Sequence, residues 1–280
     1  MKLSHQKVIF YSITGVVGLL LLSLVLTYLL PFHDPISITF KRIYPGAIIG
    51  SKLLSVNDID QAASVGENFG INKKQAIDKF YIEQKAEALV SKLNVRISND
   101  ATTDEFRFLT KGNESDYRNL LASNYGDSER IFNKHAVRPA VVDAHLRMKY
   151  YSSIVDTSPA YKEAQVLLER YSKGEKFEDL AKLESDDKIS GQLGGDLGFY
   201  ESGQLLPELE DQVSISALGE IRRDIIITRL GYHLVYPVEY SNVDGKKKWH
   251  VKHILLVPEG YDAWISTQLN NIKITKLLKD

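Results

Sequence analysis

The chain has 280 residues, a formal net charge of -1 and no cysteine. Near-neutrality without a basic stripe gives no footprint for nucleic acid, and the missing thiols exclude disulfides, thiolate metal sites and a cysteine nucleophile. Its 7 histidines are scattered without metal-ligand spacing, so neither a metal nor a cofactor is expected.

From Val8 to Leu30 the sequence "VIFYSITGVVGLLLLSLVLTYLL" carries no charge. As a helix it would span roughly 34 Å, enough to cross a hydrocarbon core of about 30 Å. Lys2 and Lys7 precede it, which favours a cytoplasmic N-terminus. No small-x-small cleavage pattern follows in "TYLLPFHDP". Residues 1–30 are therefore expected to be a short stub and an uncleaved single-pass membrane anchor, with the bulk of the chain extracytoplasmic.

After the short extended stretch "PISITFKRIYPGAIIGSKL", helical patterns dominate to residue 155. Ser55 is placed to cap a helix through Asp58 and Ile59. Beyond Asn72, the residues Ala76, Phe80, Ala86, Leu89, Val90 and Leu93 recur at three- and four-residue steps, an amphipathic stripe. Ser98 opens a further helix with Phe106 and Leu109 on its apolar side. "ESDYRNLLASNYG" reads as a short helix stopped by Gly126. Asp127 caps the next, which Pro139 should kink or divide. This pattern predicts an all-helical domain over 31–155.

The character changes near Asp156. "TSPAYKEAQVLLERYSKG" has Ser158 at the N-cap, Pro159 at the first position and Gly174 past the end. "EKFEDLAKLES" reads as a second helix, followed by the glycine cluster "SGQLGGDLGFYESGQ" and the helix "LLPELEDQVS". "RDIIITRLGYHLVYPVEY" reads as two strands broken at Gly231, "WHVKHILLV" as another strand, and "GYDAWISTQLNNI" as a last helix. "GQLGGDLG" lacks the Lys-Ser/Thr of a phosphate-binding loop.

The ordered series "GEKFEDLAKLESDD", "GGDLGFYESGQLLPELED", "LGEI" and "TRLGYHLV" resembles the parvulin family of peptidyl-prolyl cis/trans isomerases from about residue 158 to 240. The resemblance places Asp187 where the family carries an active-site Asp or Cys. It places Thr228 and His233 on the family's Thr and second histidine. Leu197 falls on the leucine of Gly-Asp-Leu-Gly, Leu205 where methionine is usual, and Leu209 where phenylalanine is usual. The implied roles are a catalytic cluster of His233, His253, Asp187 and Thr228, and a substrate slot of Leu197, Leu205 and Leu209.

The family's first strand, of the type "RHILV", does not precede the helix at 158. "VKHILLV" at 251–257 has its character, and His253 would be its histidine. The expectation is a circularly permuted parvulin domain over 156–280, with strand 249–257 in the vacant slot. The alternatives are the start of a truncated second repeat, or a plain edge strand. If His233 and His253 are to face each other, a two-residue Asp244-Gly245 turn alone fails, because it puts them on opposite faces. A five-residue loop over 241–245 or a bulge is required.

The expected fold is thus α+β: a transmembrane helix, a helical domain, and a four-stranded antiparallel sheet with surrounding helices whose first strand comes from the C-terminus. The order of these parts resembles exported bacterial foldases of the SurA and PrsA type, with "GINKKQAIDKFYIEQKAEALVSKLNVRIS" and "YGDSERIFNKHAVRPAVVDAHL" looking like their N-terminal chaperone domain. The resemblance implies a membrane-anchored isomerase and foldase. Its partners would be unfolded or X-Pro-containing exported polypeptides and the membrane through Val8–Leu30, with no nucleic acid. A catalytically weak holdase built from the same domains is the alternative.

Overall fold

The computed structural model describes residues 41–68, 70–125, 128–243 and 246–277. Contacts divide the chain into two compact units, with joints at Leu89/Val90 and Gln268/Leu269.

In the first unit, β1 (Pro45–Ile49) pairs antiparallel with β2 (Lys52–Ser55), turning at Gly50 with φ of 58°. Helix α1 (Val56–Asn68) follows directly. Ser55 and Asp58 cap it reciprocally: the Asp58 N–H donates to Ser55 Oγ at 3.2 Å, and the Ser55 N–H donates to Asp58 Oδ2 at 3.1 Å. Helix α2 (Lys73–Lys92) is capped by Asn72 Oδ1, which accepts from the Gln75 N–H at 2.9 Å. Its Ala76, Phe80, Leu89 and Val90 are buried, as the stripe predicts.

The second unit opens with α3 (Ala101–Leu109), which starts three residues after Ser98, and α4 (Glu114–Tyr125). Phe106 of α3 is buried, whereas Leu109 is 40% exposed. Then come α5 (Ser128–Phe132), a π-helical turn (Asn133–Val137) and α6 (Arg138–Ser153). The expected break at Pro139 takes the form of that turn, where the Arg138 N–H reaches back to the Asn133 carbonyl just before proline removes a donor. Asp127, the expected cap, lies outside the described residues.

Next are α7 (Pro159–Ser172), α8 (Phe177–Glu184), the short α9 (Lys188–Gln192), β3 (Asp196–Glu201) and α10 (Pro207–Ser214). The strands β4 (Ile226–Ile227), β5 (Tyr232–Val243) and β6 (Lys246–Leu256) are followed by α11 (Tyr261–Asn270). A last strand, β7 (Ile274–Lys276), belongs to the first unit and pairs antiparallel with β1.

Two expectations are corrected. The span Val8–Leu30 lies outside the described residues, and among these no helix is long and apolar enough to cross a membrane. The 20-residue α2 carries Lys79, Glu83, Lys85 and Glu87 along its length. The described fold is therefore mixed helix and antiparallel sheet, with no spanning helix among the described residues. The region 31–155 is also not all helical. Its extended stretch supplies β1 and β2 to a three-stranded sheet of order β2-β1-β7, in which Ala47 and Ile49 are fully buried.

The second sheet has the order β3-β6-β5-β4, all neighbours antiparallel. The strand latest in sequence, β6, thus lies between β3 and β5. Contacts of Tyr161 with Tyr232 and of Phe177 with Tyr236 set α7 and α8 against one face. On the other face, Val235 and Val251 pack with Leu205, Leu209 and Val213 of the α10 region.

Registry along β5 and β6 changes once. Val243 pairs with Lys246 and Glu239 with His250, but Pro237 pairs with Val251, so Val238 is an extra residue in β5. Below this bulge His233 lies opposite Leu255, and Val235 opposite His253. The two histidines share a face as diagonal neighbours rather than facing directly. The five-residue loop over 241–245 is absent because Ser241 and Asn242 are paired with Lys248 and Lys247.

Gly195 ties β3 to β6. Its carbonyl accepts from the His253 N–H at 2.9 Å, and its φ is 80°. A Cβ there would collide with the His253 carbonyl. Gly195→Ala should therefore cost about 2 kcal/mol in a left-handed, crowded position, read as a lower urea midpoint in tryptophan fluorescence.

Candidate active site

Three connections place the polar residues. The β4–β5 turn closes by hydrogen bonds between Thr228 and Gly231. It holds Thr228 Oγ1 at 2.9 Å from His233 Nε2 while that oxygen accepts from the Leu230 N–H at 3.1 Å. The β5–β6 register brings His233 Nδ1 to 3.1 Å from His253 Nδ1. The α8–α9 loop lies along β6: the Asp186 N–H donates to the Leu255 carbonyl at 2.7 Å, the Leu255 N–H to Ser185 Oγ at 3.2 Å, and the Val257 N–H to Asp186 Oδ2 at 2.8 Å. This docking sets Asp187 Oδ2 at 3.0 Å from His253 Nε2.

The four polar residues expected together are together. The structure adds Ser190, whose hydroxyl donates to Asp187 Oδ2 at 2.6 Å and lies 3.1 Å from His253 Nε2. Asp187 also caps α9, its Oδ1 accepting from the Ile189 and Ser190 N–H groups at 3.1 and 3.3 Å. Ser190 sits at the third position after this cap, which is the only signal for it in the sequence.

The donors run in one direction. An ionised Asp187 only accepts, so His253 Nε2 carries a proton and its Nδ1 is an acceptor. His233 must then donate from Nδ1 and accept at Nε2 from the Thr228 hydroxyl, which itself accepts from Leu230. Every buried member is satisfied with two neutral imidazoles.

Burial enforces that state. Thr228, His233 and His253 are 0%, 1% and 5% exposed. Burial lowers the His233 pKa to about 3, and the neighbouring His253 adds to the effect. His253 is lowered too, chiefly by burial, with Asp187 pulling the other way. Burial opposes the charge on Asp187, but hydrogen bonds from Ser190 and His253 outweigh it and hold the pKa at about 2. Asp187 is the member that reaches solvent, its side chain 26% exposed.

The three leucines divide. Leu205 and Leu209 are 5% and 3% exposed, members of the cluster that includes Val235 and Val251 beside the histidines. Leu197 is partly exposed at a bulge between Asp196 and Gly198, packed on the edge of that cluster. Tyr200, Leu206 and Trp249, not anticipated from the sequence, pack there as well.

An ion cluster braces both sides of the site. Arg229, next to Thr228, donates to Glu105 of α3 at 2.8 and 2.6 Å, and to Glu208, next to Leu209, at 2.8 and 3.0 Å. The Glu105 side chain is 2% exposed.

With this geometry in place, comparison is informative. Residues 145–239 match the family model "Rotamase: PPIC-type PPIASE domain". The match includes Asp187, Thr228 and His233 and stops short of β6. The chain is 31% identical over 136 residues to foldase protein PrsA 2 of Bacillus anthracis, covering 47% of this chain and 46% of that protein. It is 36% identical over 100 residues to chaperone SurA of Nitrosospira multiformis, covering 36% and 22%. The chain thus spans less than half the length of these relatives. A crystal structure of the peptidylprolyl isomerase PrsA from Bacillus anthracis aligns over 69% of this chain and 86% of that one, at 20% identity and a TM-score of 0.24.

Two outcomes test the electrostatics. Above pH 6.5, His233 is neutral folded or unfolded. As pH falls toward the folded-state pKa of about 3, only the unfolded chain takes up the proton, so stability drops. Between pH 6.5 and 5 this group alone removes roughly 2 kcal/mol, and His233→Gln should flatten the pH dependence of the urea midpoint by that amount. Glu105→Gln strands part of a buried guanidinium charge and should cost about 3 kcal/mol in the same measurement. Over residues 145–239 the chain thus carries the pattern of a PPIC-type peptidyl-prolyl isomerase domain.

Proposed function

We propose that this protein is a foldase that catalyses cis/trans isomerisation of X-Pro bonds in unfolded, exported polypeptides. Its active site would be completed by β6, which makes the domain a circular permutation of the family arrangement. The extracytoplasmic placement of the folded part belongs to the same proposal. The observation that carries it is the hydrogen-bonded series Thr228–His233–His253–Asp187, set beside an apolar cluster on one sheet face.

The reaction breaks no bond. The amide rotates through a twisted state over a barrier of about 18–20 kcal/mol. The planar amide is the more polar form, so an apolar slot raises the ground state relative to the twisted one. Leu197, with Leu205 and Leu209 behind it, offers that surface to the proline ring. The histidines are buried too deeply to touch substrate. They are positioning residues: they hold the Asp187 carboxylate oriented at the rim, where its charge acts on the rotating amide.

One observation favours the holdase alternative. Leu205 and Leu209 are closed into the core, so the slot is shallow unless substrate displaces side chains.

An NMR exchange assay on X-Pro peptides with the whole chain separates the readings. Wild type is expected to accelerate exchange, and Asp187→Asn to lower kcat/KM at least tenfold while aggregation suppression persists. A wild-type rate equal to the uncatalysed one, with suppression retained, would establish the holdase instead.

A further inference from the structure

Beyond the polar series, the same sheet face carries an aromatic row. Tyr200 of β3 lies opposite Trp249 of β6, and Trp249 lies opposite Tyr240 of β5. Paired residues share a face, so the three rings stand side by side across three strands. Trp249 is two residues from Val251 and four from His253, hence on the face of the candidate site. Tyr240 and Trp249 are in ring contact at 5.7 Å, and Tyr240 is 41% exposed.

The row is continuous with the site. Tyr200 and Trp249 pack on the cluster that contains Leu205 and Leu209. The phenol of Tyr200 is raised in pKa by burial and then by the charges of Asp187 and Asp196, which puts it in the field of the site's rim carboxylate. The reverse face of the same strands is built differently: Glu201 pairs with Lys248 at 2.9 Å, and His250 with Asp196 at 2.8 Å. That face also carries Phe199, stacked on His250 at 4.9 Å, so what distinguishes the front is the unbroken row of three rings.

We propose that Tyr200, Trp249 and Tyr240 form a second subsite, which holds an aromatic or large aliphatic side chain of the same polypeptide whose X-Pro bond occupies the candidate site. This rests on the isomerase reading and extends it to substrate selection. Four strand residues from His253 to Trp249 cover about 13 Å, and an extended substrate advances about 3.3 Å per residue. The selected side chain therefore sits three or four residues from the proline. Offset or edge-on contact with exposed Tyr240 and half-buried Trp249 and Tyr200 supplies the attraction.

Trp264→Phe leaves Trp249 as the sole tryptophan, since the chain has 2. This variant is titrated with X-Pro peptides carrying Phe or Ser three or four residues before or after the proline. Exchange rates are measured on the same samples. The expected result is a Trp249 emission shift and about tenfold tighter binding for Phe peptides on one side, a preference lost in Tyr240→Ser. Equal binding of Phe and Ser peptides, with Trp249 silent while exchange is accelerated, overturns the subsite and leaves the isomerase reading intact. A Trp249 response with Phe preference but no accelerated exchange upholds the subsite and overturns the isomerase. A preference that survives Tyr240→Ser, with only stability reduced, means that the row serves the hairpin alone and overturns the proposal.

Discussion

Side chains alternate along a strand, so one residue more or less in β5 decides which face His253 shares with His233. The tip of the β5–β6 ladder, where Val243 pairs with Lys246, has the registry that separates them. Val238 absorbs one residue and reverses that outcome for everything below it. The hydrogen bond between the imidazoles and the placement of Val235 beside Val251 against Leu209 follow from this bulge. The strand pays for it with one irregular step in the ladder, next to a proline that has no N–H to contribute.

The buried polar series sets a strict condition: each member must have both a donor role and an acceptor role filled, because an unpaired polar group at this depth costs 1–3 kcal/mol. The structure meets it with local devices, a turn for Thr228, a helix cap for Asp187 and a hydroxyl from Ser190. The Arg229 cluster adds a longer-range one. It joins α3 to the two segments that flank the site, at Thr228 and at Leu209. Helix α3 is accordingly part of the site's support, within the compact unit that runs from Val90 to Gln268.

Much of this was legible because it is local or patterned. The capped helices at Ser55, Asn72 and Ser158 follow from caps and periodicity. The grouping of Asp187, Thr228, His233 and His253 followed from ordered motifs and from a strand whose slot was vacant. The need for a bulge or odd loop followed from parity, but the diagonal offset of the histidines did not. Pro237 was an available sign, since proline inside a paired strand marks an edge or a bulge. What escaped the sequence depends on distant pairing. Glu105 meets Arg229 across 124 positions, β7 returns to β1, and Tyr200, Trp249 and Tyr240 align only once three strands are in register. The anchor was an inference from hydropathy alone, on residues that the described fold does not include.

The hairpin also bears on how the site comes together in time. His233 and His253 are 20 positions apart, within one antiparallel turn, whereas Asp187 is 66 positions from His253. Hairpins close in about 1–10 μs, and contacts of greater sequence separation wait on larger loop closures. We expect the imidazole pair to meet early, as part of a self-contained ribbon, and the carboxylate to arrive later, when the α8–α9 loop docks along β6. The last hydrogen bond to form would then be the one that orients Asp187, so a chain that is still folding carries the histidines in place without the fixed carboxylate that completes them.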